Sequence, residues 1–146
     1  MSNKFSKAPG GLSAGAFFIA LGLCCGQLFA APQPCLLEGE AEQLRWKSVY
    51  DGDTLLLEDG RSLRIIGINT PEMATGKRPA EPLAGAARAA LLAQLPAQRN
   101  ILVQTGYQVH DRYQRLLAHV YLPDSRTSIA TALLASGLAY RVAIPP

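Results

Sequence analysis

Histidine and cysteine are scarce in this chain, which has two and three of them among its 146 residues. No spacing among them matches a zinc site. Cys24 and Cys25 lie in an apolar N-terminal stretch, so Cys35 has no partner for an internal disulfide. We therefore expect Cys35 to be a free thiol on a mobile leader, with an intermolecular bridge as the alternative. Repeats and low-complexity tracts are also absent, which excludes a repeat architecture.

No acidic residue precedes Glu38, and the N-terminal segment has the composition of a secretory signal. Residues 1–7 are basic, and residues 14–30 are apolar except for one glutamine. This pattern predicts a signal peptide over residues 1–30, with cleavage after Ala30. An uncleaved N-terminal anchor is the alternative. We expect a secreted or periplasmic protein with no stable membrane association once the signal is removed.

Net charge gives the predicted mature domain little general attraction for nucleic acid. Cleavage would leave 116 residues, enough for one domain, and would lower the formal net charge from +3 to +1 because two lysines are lost. A global basic field is excluded, so any affinity for nucleic acid must come from a local cluster of basic residues. We expect a leader over residues 31–43 and a monomeric domain over residues 44–146.

The rest of the chain combines short β-prone runs with two helical segments. Strands are predicted at residues 44–50, 54–57, 62–68, 100–107 and 116–122, and helices at residues 82–95 and 129–136. A helix between the third and fourth of five strands is the arrangement of an OB-fold barrel. The sequence therefore predicts an α+β fold that is mainly β: a five-stranded OB-fold barrel with a further C-terminal helix.

Turn and cap signals fix the ends of these elements. The run at residues 58–61 predicts a hairpin turn in which Gly60 takes a positive φ. The first helix should bury a stripe of residues that recur every four positions: Leu83, Ala87, Leu91 and Leu95. The second helix should be capped by Thr127 or Ser128 and closed by Gly137.

Three short stretches carry the residues that suit chemistry on a phosphodiester. They are Asp-Gly-Asp-Thr at residues 51–54, Arg64 with Asn-Thr-Pro-Glu at residues 69–72, and Asp-Arg-Tyr-Gln-Arg at residues 111–115. Carboxylate oxygens suit a hard metal ion, and spaced arginines suit phosphate oxygens. Each stretch also has an ordinary structural explanation: a tight turn, a surface strand with a loop opening, and a local salt bridge beside a core tyrosine.

Together with Gly-Leu-Ala at residues 137–139, the three stretches resemble the thermonuclease family, the staphylococcal-nuclease-like domains. The resemblance runs from about residue 44 to the C-terminus and rests on the order and spacing of all the blocks. It implies an OB-fold phosphodiesterase that uses calcium to hydrolyse DNA and RNA and leaves 3′-phosphate ends. DNA, RNA or both are the expected partners.

The resemblance also implies roles for individual residues. The predicted calcium ligands are Asp53, the backbone carbonyl of Thr70 and, as the weakest of the three, Asn69. Arg64 and Arg115 are the predicted phosphate-binding arginines, and Glu72 is the predicted general base for the attacking water. Tyr113 is expected near the substrate phosphate, and Lys77 and Arg78 are further candidates for substrate binding.

The sequence departs from the family pattern at three places. Asn69 stands where the family has an aspartate, so we expect weaker calcium affinity or use of another divalent metal. Gln114 stands where the family has glycine, and a positive φ there would cost about 1 kcal/mol. The chain ends without the family's last helix, and Ala143 occupies roughly the place of a nucleoside-stacking tyrosine, for which Tyr140 is a possible substitute.

We therefore expect an exported, metal-dependent nuclease with little sequence specificity, because arginine–phosphate contacts carry no base information. Two alternatives stay open. One is a non-catalytic OB-fold module that binds nucleic acid, in which Asn69 and the short C-terminus mark lost chemistry. The other is a destabilised remnant without activity, suggested by the chain end alone.

Overall fold

The computed structural model describes residues 35–143 of the chain. The predicted signal peptide, its cleavage site and the cysteines at positions 24 and 25 lie outside the described residues, so they stay predictions. Within residues 35–143, no helix is long and apolar enough to cross a membrane.

The described residues form a closed barrel of five strands, a two-stranded sheet and two helices. In chain order the elements are β1 (Glu42–Val49), β2 (Thr54–Leu57), β3 (Ser62–Ile65), β4 (Ile68–Asn69), α1 (Ala84–Gln94), β5 (Asn100–His110), β6 (Leu116–Tyr121), α2 (Ile129–Ala135) and β7 (Tyr140–Arg141). The barrel order is β1-β2-β3-β6-β5, and β1 pairs with β5 to close it. β3 and β6 run parallel, and the other barrel pairs are antiparallel. The predicted OB-fold barrel is confirmed.

Alternating apolar side chains fill the barrel, and the two helices cover it. The core is made of buried residues from every barrel strand and both helices: Val49, Leu55, Leu57, Leu63, Ile65, Leu91, Ile101, Val103, Leu116, Val120, Ile129 and Leu133. Burial of this kind is the main stabilising contribution to a small domain. Because α1 and α2 pack on the barrel, they also support the loops that leave its rim.

The third predicted strand is interrupted. The prediction placed one strand over residues 62–68, but β3 ends at Ile65 and a turn follows in which Gly67 has a φ of +84°. β4 then leaves the barrel and pairs with β7, with Ile68 opposite Arg141. This break matters for function because it carries Asn69 to the C-terminal strand.

The start of the first helix also differs from its prediction. α1 begins at Ala84, and Leu83 is 61% exposed with a φ of +69°, so Leu83 does not belong to the buried stripe. Ala84 takes its place beside Ala87 and Leu91. A turn closed by the Ala84 backbone N–H on the Glu81 carbonyl over 3.1 Å precedes α1, so the helix begins two residues later than predicted.

The second helix follows its prediction more closely. Ser128 occupies the N-cap position, although its side chain makes no capping hydrogen bond. Gly137 closes the helix with a φ of +69°, a conformation that glycine adopts without steric penalty. The hairpin glycine, Gly60, likewise has the predicted positive φ, at +89°.

The segment before β1 is packed against the barrel, which corrects the expectation of a mobile leader for residues 35–41. Cys35 accepts a backbone hydrogen bond from Ser128 over 2.8 Å, and Leu37 donates one to Arg126 over 2.8 Å. Gln104 donates to the carbonyl of Glu38 over 2.9 Å, and the Leu37 side chain is buried. Cys35 itself is an exposed free thiol, as predicted.

Candidate active site

The loop between β1 and β2 places a buried carboxylate at the barrel rim. Asp53 is 1% exposed, and its Oδ2 accepts hydrogen bonds from the Thr70 backbone N–H over 2.8 Å and from the Thr70 hydroxyl over 3.0 Å. Its Oδ1 accepts a further bond from the Thr54 hydroxyl over 3.1 Å. A buried carboxylate requires such partners. The loop is therefore more than a tight turn, because it fixes Asp53 against the segment that follows β4.

Gly52 allows this close approach. A Cβ at position 52 would lie 2.7 Å from the Ala87 Cβ and 2.8 Å from the side chain of Thr70. The small residues Gly52 and Ala87 thus let α1 and Thr70 pack directly against the loop. The backbone around Asp53 is fixed by this packing as well as by hydrogen bonds.

Arg64, at the middle of β3, joins two of the predicted site residues. Its Nη1 pairs with Asp53 Oδ1, and its Nη2 donates to Asn69 Oδ1 over 2.6 Å. Its side chain is only 15% exposed. Asn69 in turn donates from Nδ2 to the hydroxyl of Tyr140 over 2.7 Å. Asp53, Arg64, Asn69 and Tyr140 therefore form one continuous chain of contacts.

Arg64 also lies near the second predicted arginine. Burial lowers the pKa of the Arg64 guanidinium, and the positive charge of Arg115 lowers it further. Asp51, Glu72 and Tyr140 act in the opposite direction on the same pKa. Arg64 lies on β3, and Arg115 directly precedes the parallel neighbour β6, so the two residues are on adjacent strands. An anion near both arginines would reduce their mutual repulsion.

Asp51 is a second buried carboxylate at this rim and is 4% exposed. Its Oδ1 accepts the backbone N–H of Asp53 over 3.0 Å. Burial raises the pKa of the Asp51 carboxyl, and this effect outweighs the opposing charges of Arg64 and Arg115. The sequence pattern marked residues 51–54 but did not assign Asp51 a role, and the structure places it under the influence of both arginines.

The turn between β5 and β6 is organised by Asp111. Its Oδ1 accepts the backbone N–H groups of Tyr113 over 2.8 Å and of Arg115 over 2.9 Å, and its Oδ2 accepts Arg115 Nε over 2.7 Å. Burial alone would raise the pKa of Asp111, but the bonds from Arg115 and Tyr113 together hold it below its ordinary value. The predicted local salt bridge exists, and it aims Arg115 towards the site.

Tyr113 lies at the surface, against the alternative that it is a core residue. It is 64% exposed, with the Arg112 guanidinium carbon 4.8 Å and that of Arg115 5.6 Å from the ring centroid. Gln114 follows with a φ of +62°, so the backbone here does take the conformation that favours glycine. An exposed aromatic ring between two cations suits contact with a nucleotide.

Glu72 begins a loop that is closed at its base by Glu81. Glu72 donates its backbone N–H to Glu81 Oε2 over 3.1 Å, and Glu81 donates its own to the Glu72 carbonyl over 2.9 Å. Glu72 is half-buried, and its charge acts on Arg64. Lys77 and Arg78 lie at the exposed end of the loop, where Arg78 pairs with Glu81 over 2.9 Å.

The structure therefore brings most of the predicted residues to one rim of the barrel, with Lys77 and Arg78 at its edge. It adds Asp51 and Asp111, to which the sequence pattern gave no role at the site. It also places Tyr140, the possible substitute for the stacking tyrosine, in contact with Asn69. A groove of about 580 Å³ elsewhere is lined by Cys35, Glu38, Gln104 and His119 among others, and none of its lining residues is a predicted site residue.

The residues predicted to hold calcium offer oxygen donors, which are the ligands that calcium takes. Asp53 supplies a carboxylate and Thr70 a backbone carbonyl, whereas the Asn69 oxygen is bonded to Arg64. Within residues 35–143, no three His, Cys, Asp or Glu side chains are grouped so as to hold a metal ion. The donor chemistry of Asp53 and Thr70 fits calcium, but both Asp53 oxygens already contact Thr54, Thr70 or Arg64, so an ion bound to Asp53 would replace one of these partners.

Comparison with known proteins identifies the family. The family model described as "Staphylococcal nuclease homologue" matches residues 62–145, more than half of the chain. The chain belongs to this family. The matched region includes Arg64, residues 69–72 and the turn that holds Arg115, so the family blocks named from sequence fall mostly within it.

Several proteins of known name are similar to the chain. It is 34% identical over 103 residues to a thermonuclease of Staphylococcus intermedius, covering 68% of this chain and 60% of that protein. It is 34% identical over 103 residues to the probable endonuclease lcl3 of Aspergillus terreus, covering 66% and 34%. A thermonuclease of Staphylococcus hyicus is 36% identical over 77 residues, covering 51% and 45%. The chain thus spans less than two thirds of each relative.

Proposed function

We propose that the protein is an exported nuclease that hydrolyses phosphodiester bonds of DNA and RNA with little sequence specificity. The observation that carries this proposal is the placement of Arg64 on β3 and of Arg115 directly before the parallel neighbour β6, with Asp53 paired to Arg64. The names of its relatives, a thermonuclease and a probable endonuclease, support the same activity. A module that only binds nucleic acid has no need of a carboxylate beside the phosphate.

The two arginines bind and orient the phosphate. Attack at phosphorus increases the negative charge on the phosphoryl oxygens, and guanidinium donors stabilise that charge as it develops. Asp53 holds Arg64 and Asp111 holds Arg115, so both donors are positioned before substrate arrives. Removing one such donor typically slows catalysis by a factor of about 10² to 10³.

Glu72 is the proposed general base. This half-buried residue follows Thr70 by two positions, and Thr70 binds the Asp53 carboxylate that pairs with Arg64, so the backbone brings Glu72 to the same part of the site. In this role Glu72 orients a water molecule and accepts its proton as the oxygen attacks phosphorus. The bond from phosphorus to the 5′ oxygen breaks, and that leaving oxygen takes a proton from solvent. The mutual hydrogen bonds with Glu81 fix the backbone of Glu72 and so the direction of its side chain.

Asp53 and the Thr70 carbonyl are the proposed calcium ligands, and another divalent metal remains an alternative given Asn69. A bound calcium ion would supply positive charge to the phosphate oxygens. The chain's own contacts explain the low specificity, because guanidinium–phosphate hydrogen bonds do not read base identity. Tyr113 adds a surface on which any base or sugar packs.

Digestion of plasmid DNA and of RNA by the purified full chain tests the activity. The reaction is run with calcium, with magnesium and with chelator. We expect cleavage with at least one metal and none with chelator. Retained binding of DNA without cleavage under any metal condition would replace this proposal with a non-catalytic OB-fold module.

Substitution of Glu72 tests the assigned base. Glu72→Gln keeps the size of the side chain but cannot accept the proton, so we expect turnover to fall about 100-fold or more. Glu58→Gln is the matched control, because Glu58 pairs with Arg45 at the surface beyond the other end of β2. Equal turnover in the two variants would show that Glu72 is not the base.

Export has its own test, which does not depend on activity. Fractionation of cells that express the full chain, followed by N-terminal sequencing of the exported form, should give a mature protein that begins at Ala31. Recovery of the uncut chain in the membrane fraction would support an N-terminal anchor instead.

A further inference from the structure

The side-chain amide of Asn69 connects Arg64 to Tyr140. Arg64 Nη2 donates to Asn69 Oδ1 over 2.6 Å, and Asn69 Nδ2 donates to the Tyr140 hydroxyl oxygen over 2.7 Å. A guanidinium has hydrogen-bond donors and no acceptor. It therefore fixes the orientation of the amide, since the reversed amide would place N–H groups against N–H groups. The Tyr140 oxygen is an acceptor at this contact.

This arrangement leaves the hydroxyl proton of Tyr140 available. A phenol has one proton to donate in addition to its accepting lone pairs, and the Asn69 NH₂ group cannot receive that proton. Tyr140 is 60% exposed and lies near enough to Arg64 to influence the pKa of its guanidinium. The hydroxyl donor is thus adjacent to the cation that would bind a phosphate.

The backbone fixes the position of Tyr140. In the β4–β7 ladder Asn69 lies directly opposite Tyr140, and Val142 donates its backbone N–H to the Gly67 carbonyl over 3.0 Å. The turn at Gly67 that ends β3 makes this pairing possible. Tyr140 therefore stands beside the arginine as a consequence of strand register.

We propose that Tyr140 is a substrate-binding residue whose hydroxyl donates a hydrogen bond to a nonbridging phosphate oxygen of the polynucleotide. Asn69 is the positioning residue that directs this donor, because its amide holds the hydroxyl as an acceptor. An aspartate at position 69 would instead accept a hydrogen bond from the hydroxyl, which would then have no proton to donate to substrate. The inference rests on the proposed function, since it takes a nucleic-acid phosphate as the ligand.

Binding of a fluorescently labelled single-stranded oligonucleotide, measured by anisotropy in chelator, provides the test. Chelator prevents cleavage and removes any effect of metal. Tyr140→Phe should weaken binding by a factor of about 3 to 10, the effect of one hydrogen bond to a charged acceptor. Tyr107→Phe is the matched control, because Tyr107 is 99% exposed, and its affinity should equal that of the parent. Parent-like binding by Tyr140→Phe overturns the role of Tyr140.

The role of Asn69 is tested by the same substitution in an Asn69→Asp background. In that background the hydroxyl donates its hydrogen bond to the carboxylate, so Tyr140→Phe should change the affinity for the oligonucleotide by less than about 2-fold. An equal loss in both backgrounds would show that Tyr140 binds substrate independently of Asn69, and it would overturn the positioning role.

Salt dependence separates direct binding from an indirect effect through Arg64. A neutral hydroxyl displaces no counterions, so Tyr140→Phe should leave the slope of log affinity against log salt unchanged. If Tyr140 only supported Arg64, the slope would decrease by up to about 1, as for loss of one phosphate contact by a cation. That decrease would contradict direct binding, and Arg64→Gln provides the reference value.

The outcomes also distinguish this inference from the proposed function. If the parent cleaves DNA and Tyr140→Phe binds like the parent, only the role of Tyr140 is overturned. A parent that binds oligonucleotide and cleaves nothing with any metal loses only the nuclease activity, and a parent that binds nothing loses both. Thermal melts accompany each variant, and loss of a cooperative transition in Tyr140→Phe would show that Tyr140 is structural.

Discussion

The Asp111 carboxylate binds both the backbone and the side chain of Arg115. One carboxylate oxygen accepts the Arg115 backbone N–H over 2.9 Å, and the other accepts Arg115 Nε over 2.7 Å. The ring that these bonds form sets the direction of the guanidinium from within the turn. Arg115 is therefore aimed at the site by a residue four positions before it.

Asp111→Asn should disturb this aim while leaving an oxygen for the backbone N–H groups. Because the charge-assisted bond to Nε is lost, we expect kcat/KM on nucleic acid to fall about 10-fold. The pKa of Asp111 is held below 3.8, so its stabilising contribution is present above pH 3.8 and is lost as pH falls through its folded-state pKa. The stability difference between parent and variant, measured by denaturation at several pH values, should shrink accordingly.

Asp59 supplies a matched control for that substitution. In the β2–β3 hairpin turn, Asp59 accepts the Arg61 backbone N–H over 2.9 Å and Arg61 Nε over 2.8 Å, which repeats the contacts of Asp111 with Arg115. Asp59→Asn should leave cleavage unchanged because this turn is remote from the site. An equal loss of kcat/KM in both variants would mean that orientation of Arg115 is not the cause.

Gln114→Gly should stabilise the protein. Gln114 has a φ of +62°, a conformation that costs a residue with a Cβ about 1–2 kcal/mol. Glycine removes that cost but loses about 0.5–1 kcal/mol through its freedom in the unfolded chain. We therefore expect a gain of about 0.5–1 kcal/mol in the free energy of unfolding, measured in urea.

The control is the same substitution at ordinary φ. Gln108 lies within β5 and is not among the residues with positive φ, so Gln108→Gly should lose about 0.5–1 kcal/mol. If both glycine variants are destabilised equally, the backbone of Gln114 carries no strain.

Local signals predicted the barrel well, and long-range contacts account for what they missed. The strands and hairpin turn follow from alternation and from residues such as Gly60, which act on their immediate neighbours. The break of β3 after Ile65 allows β4 to pair with β7, and no short stretch of sequence contains both of those strands. The contact of Asn69 with Tyr140 joins residues 71 positions apart.

In the candidate site, too, local sequence signals identified some residues, and long-range packing determined the others. Arg64, Glu72 and Arg115 could be named because each stands in a recognisable block. The role of Asp111 was only partly visible, since its spacing to Arg115 also suits a surface salt bridge of little consequence. Burial of Asp51 could not be inferred, because it depends on how the loop packs against the rest of the fold.

Asp51→Asn should stabilise the protein at neutral pH. Burial raises the pKa of Asp51 above 3.8, so the folded state favours the neutral carboxyl and the ionised form lowers the free energy of unfolding. This loss grows as pH rises from 3.8 to the folded-state pKa and is constant above it. Asparagine keeps an oxygen for the Asp53 N–H and carries no charge, so the gain should be full at pH 7 and vanish below pH 3.8.

Denaturation of the variant and parent across this pH range measures the effect. Asp59→Asn provides a contrast of opposite sign, because the Arg61 hydrogen bonds lower the pKa of Asp59. Its variant should lose a little stability at neutral pH and none in strong acid. A pH-independent gain in Asp51→Asn would show that packing, and not ionisation, is responsible.

Gly52→Ala should destabilise the protein by about 1–3 kcal/mol, the usual range for overpacking a tight contact. The added Cβ would lie 2.7 Å from the Ala87 Cβ and 2.8 Å from two atoms of Thr70, so the loop or α1 must move. Movement of Thr70 would also weaken its two hydrogen bonds to Asp53. We therefore expect a lower melting temperature together with reduced cleavage.

Gly85→Ala is the control for that loss, because a Cβ at position 85 on α1 meets nothing within 4 Å. Alanine in a helix is favoured over glycine by about 0.5–1 kcal/mol, so this variant should melt higher than the parent. Gly52 contacts Ala87, and Gly85 precedes Ala87 by two residues in α1. The same change from glycine to alanine should therefore shift the melting temperature in opposite directions at these two positions, for a steric reason. Equal melting temperatures for the two variants would show that Gly52 is not needed for the approach of Thr70 and Ala87 to the Asp53 loop.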